Sequence, residues 1–147
     1  MFNHLHVHDA KGSILDSILK VEDIVKFAHN NGMKAIALTN HGMMTSYVDF
    51  VKECNKYDIK PIIGNEIYEV DDMYEKADTK EYKQQRYHLV LLAATQQGYQ
   101  NLLKITSVSC TDGMYKKPRI DMNYIETNNL GQGIIYLLCP PYKQLNK

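Results

Sequence analysis

Ala35-Ile36-Ala37-Leu38-Thr39-Asn40-His41-Gly42 sets four apolar residues in unbroken succession before a polar turn. A run of this kind reads as a strand buried on both faces, with helices covering it. The helices are legible on either side. Upstream, Val21, Ile24, Val25 and Ala28 fall at i, i+3, i+4 and i+7, and Gly32 follows as a stop. Downstream, Tyr47, Phe50, Val51, Cys54 and Tyr57 form a second stripe. Further out, Phe2 to Val7 reads as the first strand. Pro61-Ile62-Ile63-Gly64 opens another that runs to Val70, and Leu89 to Ala94 makes a fourth. Tyr99, Leu102, Leu103 and Thr106 mark a third helix, and Ile134 to Leu138 a last strand. This β-α-β-α-β order predicts an α/β fold of about five parallel strands with right-handed crossovers. Asp71 to Gln85 is charged and without apolar period, a solvated excursion. Thr111 to Arg119 is a loop rich in turn formers. Pro140-Pro141 cannot continue a central strand.

The whole sequence has 147 residues, which suits one domain. Seventeen basic and seventeen acidic residues leave no net charge, so composition does not mark a basic nucleic-acid-binding domain. No apolar run nears the roughly 20 residues that span a bilayer, and Met1-Phe2-Asn3-His4 does not begin a signal peptide. A cytoplasmic protein without membrane contact is expected. Cys54, Cys110 and Cys139 form no CxxC pair and are expected to be reduced.

Six histidines stand out, three of them at positions 4, 6 and 8. On a strand these share one face, while Leu5 and Val7 take the other, under helices. Three imidazoles together are costly to bury without partners, and a metal site for zinc, manganese or iron is the natural use of them. α/β folds assemble such sites at the C-terminal ends of strands. His41 follows the second strand, Glu66 lies near the end of the third, and Asp16 sits in the loop after the first. His88 begins its strand, where the pattern leaves ligand and bystander equally open. His29 falls off its helical stripe and reads as solvated, and Cys54 reads as core.

Taken in order, the motifs resemble the PHP (polymerase and histidinol phosphatase) domain of bacterial DNA polymerase III alpha subunits. The stretches are His4-Leu5-His6-Val7-His8, Ser13-Ile14-Leu15-Asp16, Ala35 to Gly42, Lys60 to Tyr68, Arg86 to Ala93, Gly98 to Leu103 and Lys117 to Asp121. The resemblance covers residues 1–139 and leaves 140–147 as a non-matching tail. It implies a distorted (β/α)7 TIM-like barrel of which this chain holds an incomplete part, with up to three divalent ions. By motif it implies the ligands His6, His8, Asp16, His41, Glu66 and His88, with Cys139 as a further one, and His4 and Asn40 as supports behind them. Asn40 stands where the family has Asp, which would lower the basicity of the ligand it orients. The family's late Asp-x-His does not occur in this chain. Lys116, Lys117 and Arg119 are candidate phosphate or DNA contacts.

The implied function is metal-dependent phosphodiester hydrolysis of the 3′–5′ exonuclease type, within a parent protein that replicates DNA. No polymerase active site is present. The chain reads as a truncated piece, or one completed by a second polypeptide or another replisome protein. The alternatives are a histidinol-phosphatase-like phosphoesterase and a non-catalytic piece that docks on another polymerase segment.

Overall fold

The structure is a computed structural model that describes residues 2–76 and 85–138. Its elements are α1 (Val21–Asn30), β1 (Ala35–Leu38), α2 (Tyr47–Lys56), β2 (Lys60–Val70), β3 (Tyr87–Ala93), α3 (Gln96–Cys110), β4 (Arg119–Asp121), α4 (Met122–Thr127) and β5 (Ile134–Leu138). The five strands form one mixed sheet in the order β1-β2-β3-β5, with β4 also paired to β2.

β2 is the spine of the sheet. Its eleven residues pair in parallel with β1 through Lys60–Ile63 and with β4 through Tyr68–Val70. Along its other edge, Gly64–Glu69 pair antiparallel with β3, and β5 is antiparallel to β3. The all-parallel expectation is therefore corrected: only the β1–β2 and β2–β4 pairs are parallel. A parallel return needs a crossover of a dozen or more residues, usually a helix. Residues 71–86 have no apolar period from which to build one, so β3 turns back beside β2.

The first expected strand, Phe2 to Val7, is not one. Residues 5–6 form a bend. Ala37 N–H donates to His4 O at 2.9 Å and Thr39 N–H to Val7 O at 2.8 Å. Three steps on this segment thus face two on β1, and the extra residue breaks the period-2 alternation, as at a bulge. The Thr39 hydroxyl fills the interrupted ladder, accepting from Val7 N at 2.9 Å and donating to Val7 O at 3.0 Å. Leu5, expected under a helix, is exposed.

The helices follow their stripes. α1 buries Val21, Ile24, Val25 and Ala28. It ends in a Schellman motif, with Met33 N–H on Ala28 O, Gly32 N–H on His29 O, and Gly32 at φ +67°. α2 buries Tyr47, Phe50 and Cys54 against the same core. A second apolar cluster, centred on Ile67, Leu89, Leu91, Leu102 and Ile105, joins α3 to the β2–β3 pair. Two elements went unread in the sequence. β4 is three residues long and α4 six, both too short to show a period. Met73 is wholly buried inside the stretch taken as solvated. Cys139 and the tail 140–147 lie outside the described residues.

Candidate metal centre

Glu66 is the hub. It sits in the middle of β2, bridged to His41 on one side and paired with Val90 of β3 on the other. Backbone bonds from Glu66 N to Asn40 O (3.1 Å) and from Gly42 N to Glu66 O (2.7 Å) fix the His41 loop beside it. Tyr68, two residues on, shares its face and stands opposite His88. The antiparallel run of β3 is what brings His88 here. In a parallel sheet the start of that strand would lie at the opposite end of β2.

The N-terminal segment delivers the next two rings. His6 Nε2 and His8 Nε2 each lie 3.2 Å from Glu66 Oε2 and 3.1 Å from one another. The other carboxylate oxygen, Oε1, lies 3.0 Å from His88 Nδ1. His41 Nδ1 is 3.9 Å from Oε2 and 3.0 Å from Asp16 Oδ2. His6, His8 and Glu66 make one three-donor group and His41, Glu66 and His88 another, with Glu66 common to both. His4 is not among them. The bend turns it onto Phe2 and Phe27, with ring centroids 4.8 and 6.1 Å away.

The donor set fits divalent cations. Donors about 2.0–2.1 Å from one ion are ~3.3 Å apart in tetrahedral and ~3.0 Å apart in octahedral geometry. The His6–His8–Glu66 triangle has edges of 3.1–3.2 Å. His41 Nε2 is buried with no hydrogen-bond partner, a cost that a bound cation would remove. Burial pushes the Glu66 carboxyl up. The hydrogen bonds from His6 and His8 and the charge of His41 outweigh it and hold that carboxyl well below the usual carboxylate range. Burial lowers His88, Glu66 partly offsets this, and His41 lowers it further. Low-pKa carboxylate and neutral imidazole are the forms that bind metal.

Ser13, which the sequence does not mark as a site residue of its own, holds two of these ligands. Its hydroxyl lies 3.2 Å from His8 Nδ1 and accepts from the His41 backbone N–H at 2.9 Å. Its place three residues before Asp16 was the available signal. Asn40 supports the site differently than expected. Its buried amide donates to Asp9 Oδ1 and to Thr45 O, both at 3.2 Å, and its Oδ1 accepts from Asp9 N at 2.9 Å. It orients no histidine ring. It ties the loop that carries Ser13 to the one that follows His41. Arg119 is buried, and Nε, Nη1 and Nη2 donate to the carbonyls of Gly113, Glu75 and Met73, which corrects its reading as a DNA contact. Lys117 instead faces the site, with Nζ 5.6 Å from the Tyr68 ring centre, and that ring stacks on His41 at 4.3 Å. Lys116 lies over Tyr115.

Residues 4–143 match the family model described as "PHP domain". The chain is similar to the DNA polymerase III subunit alpha of Borreliella burgdorferi, at 43% identity over 88% of this chain and 11% of that protein. The corresponding protein of Helicobacter pylori strain 26695 is 38% identical over 88% of this chain and 10% of its own length. That of Aquifex aeolicus is 34% identical over 92% and 12%. The chain thus spans about a tenth of the curated relatives it matches. Among solved structures, an amidohydrolase from Chromobacterium violaceum superposes with a TM-score of 0.52 at 15% identity, over 73% of this chain and 32% of that one. Among the described residues, no helix is long and apolar enough to cross a membrane.

Proposed function

The chain belongs to the PHP domain family, and from that premise we propose that it is the N-terminal PHP portion of a DNA polymerase III alpha-type protein, built to hydrolyse a phosphodiester with divalent metal ions. The observation that carries this is the convergence of His6, His8 and Glu66 at 3.1–3.2 Å, with Glu66 reaching on to His88. We assign Glu66 as the bridging ligand, His6 and His8 to one position, and His41, His88 and Asp16 to the neighbouring one. Zinc, manganese or iron bound there would lower the pKa of a water and neutralise charge on phosphoryl oxygens. The protein's own part is to hold the ligands still. Ser13 accepts at its oxygen the N–H that His8 Nδ1 presents when Nε2 is a ligand, and so fixes that tautomer. Asp16 Oδ2 lies 3.0 Å from His41 Nδ1 and stands with it at the second position. We read the action as that of a 3′–5′ exonuclease on DNA held by the parent polymerase and its replisome partners. We read the sheet as part of a larger (β/α)7-type barrel.

Inductively coupled plasma mass spectrometry on the purified chain tests the metal assignment. At least one equivalent of zinc, manganese or iron is expected, and none in the His6→Ala, His8→Ala double variant. A folded wild-type chain free of metal after growth and reconstitution with all three would end this reading.

A further inference from the structure

Lys117 is seated in a way that an ordinary surface lysine is not. The loop 113–118 is clamped at both ends. Gly113 O accepts from the buried Arg119 guanidinium, and Pro118 is buried against Gly42. Gly42 has φ +71°, and a Cβ there would fall 2.5 Å from Pro118 Cγ, so only glycine lets the two loops close this far. Within the loop, Lys116 takes φ +60° and Tyr115 bridges to Lys117 through the backbone. The result is an ammonium group over the Tyr68 ring, with Tyr68 stacked in turn on His41.

This assembly lines a groove of about 420 Å³ that opens from Asp16 and His41. Lys117 lines it together with Lys11 and Lys116, and Leu15, Met43 and Met114 add apolar surface between the polar groups. A small phosphomonoester would need the donor cluster and little else. A cation on an aromatic mount, one ring beyond the cluster and beside the apolar Met43 and Met114, suits a ligand that repeats phosphate and flat apolar groups along its length.

We propose that Lys117, mounted on Tyr68, binds a phosphate of a nucleotide chain other than the one at the donor cluster, with the intervening base lying along Met43 and Met114. This rests on the metal-centre reading above and adds to it the residue that holds a second phosphate of the substrate. It assigns Lys117 to binding and leaves the metal ligands untouched.

The test is fluorescence anisotropy of a fluorescein-labelled oligothymidylate on wild type, Lys117→Ala and Lys117→Arg over a salt series. Metal content of each is measured in parallel, along with competition by inorganic phosphate. Lys117→Ala is expected to weaken the oligonucleotide about tenfold and to make its salt dependence shallower by about one phosphate contact. Lys117→Arg should restore both, with metal content and inorganic phosphate affinity unchanged. Wild-type affinity and salt slope in Lys117→Ala, or no binding to the wild type, overturns the proposal. An equal loss for inorganic phosphate also overturns it, since Lys117 would then serve the phosphate at the cluster. Lysine-dependent oligonucleotide binding by a chain that holds no metal supports the Lys117 assignment and refutes the metal centre.

Discussion

Replacing Asn40 by the aspartate that the resemblance leads one to expect should damage this protein. Asn40 is fully buried and Asp9 nearly so, and Asn40 Nδ2 lies 3.2 Å from Asp9 Oδ1. In Asn40→Asp that donor becomes an acceptor facing another acceptor, and the bond to Thr45 O is lost as well. With both carboxyls ionised, the repulsion at 3.2 Å is about 5 kcal/mol at an effective dielectric constant of about 20. The chain escapes part of this by protonating the introduced group. Holding a carboxyl of ordinary pKa about 3.9 neutral at pH 7 costs about 4 kcal/mol, and at pH 5 about 1.5. The electrostatic part of the destabilisation is therefore capped near 4 kcal/mol at pH 7 and falls as the pH is lowered, while the lost bond to Thr45 O adds about 1 kcal/mol at either pH. The sign follows from linkage: the folded variant binds a proton that its unfolded chain has released, so its stability drops as pH rises through this range. Urea denaturation of the chelator-treated protein at pH 5 and pH 7 reads both numbers. The exchanged pair, Asp9→Asn with Asn40→Asp, keeps one carboxylate and one amide and should recover most of the loss. An Asn40→Asp variant as stable as wild type at pH 7, or one hurt equally at both pH values, would refute the reasoning.

Two further outcomes follow from the site. Ser13→Ala removes the hydroxyl behind His8 Nδ1 and the acceptor of His41 N, so metal affinity measured by competition with a chromophoric chelator should fall about 10–100-fold. Affinity within a factor of two of wild type would show that His8 needs no such support. In the metal-free chain, burial and His41 hold His88 below its ordinary value, so the unfolded chain takes up that proton first. The stability due to neutral His88 is present above about pH 6.5 and lost below it. Glu66, held low chiefly by His6 and His8 against the cost of its burial, contributes stability present above about pH 4.3 and lost below that. Urea midpoints should fall in two stages on acidification, and His88→Gln should flatten the upper one. A midpoint that rises between pH 8 and pH 6 would contradict this.

The sequence was most readable where one periodicity governs a long segment. α1, α2 and α3 lie on the stripes that Val21, Phe50 and Leu102 announce, and β1 is the apolar run itself. Strand direction was not readable. Leu89 to Ala94 is equally apolar whichever way it runs, and the lack of an apolar period in the sequence before it was the local sign of a reversal. That reversal also decides His88, which periodicity left open and which the turned-back strand sets opposite Tyr68. The N-terminal segment misled for another reason. A strict period of two put His4, His6 and His8 on one face, but a single extra residue against β1 separates His4 from the other two. Asn40 and Arg119 were legible as residue types and not in role. What each touches depends on loops that come together only in the fold.

The donors around Glu66 come from segments far apart in the chain: residues 6 and 8, residue 16, residue 41, and residue 88. The segments of His41 and His88 are paired to the Glu66 strand, and those of residues 6, 8 and 16 are not. The 2–8 segment in particular departs from the ladder, and the bend at residues 5–6 leaves it held by a few bonds to β1. A cation held there would therefore act as a rivet as well as a reagent, fastening the N-terminal segment to the spine strand. Anything that binds only the folded form adds to its stability in step with its concentration, by about 2.7 kcal/mol at a hundred times its dissociation constant. On that reading, metal supply and the integrity of the N-terminal segment are one variable, and a chelator would loosen the start of the chain as it silenced the chemistry.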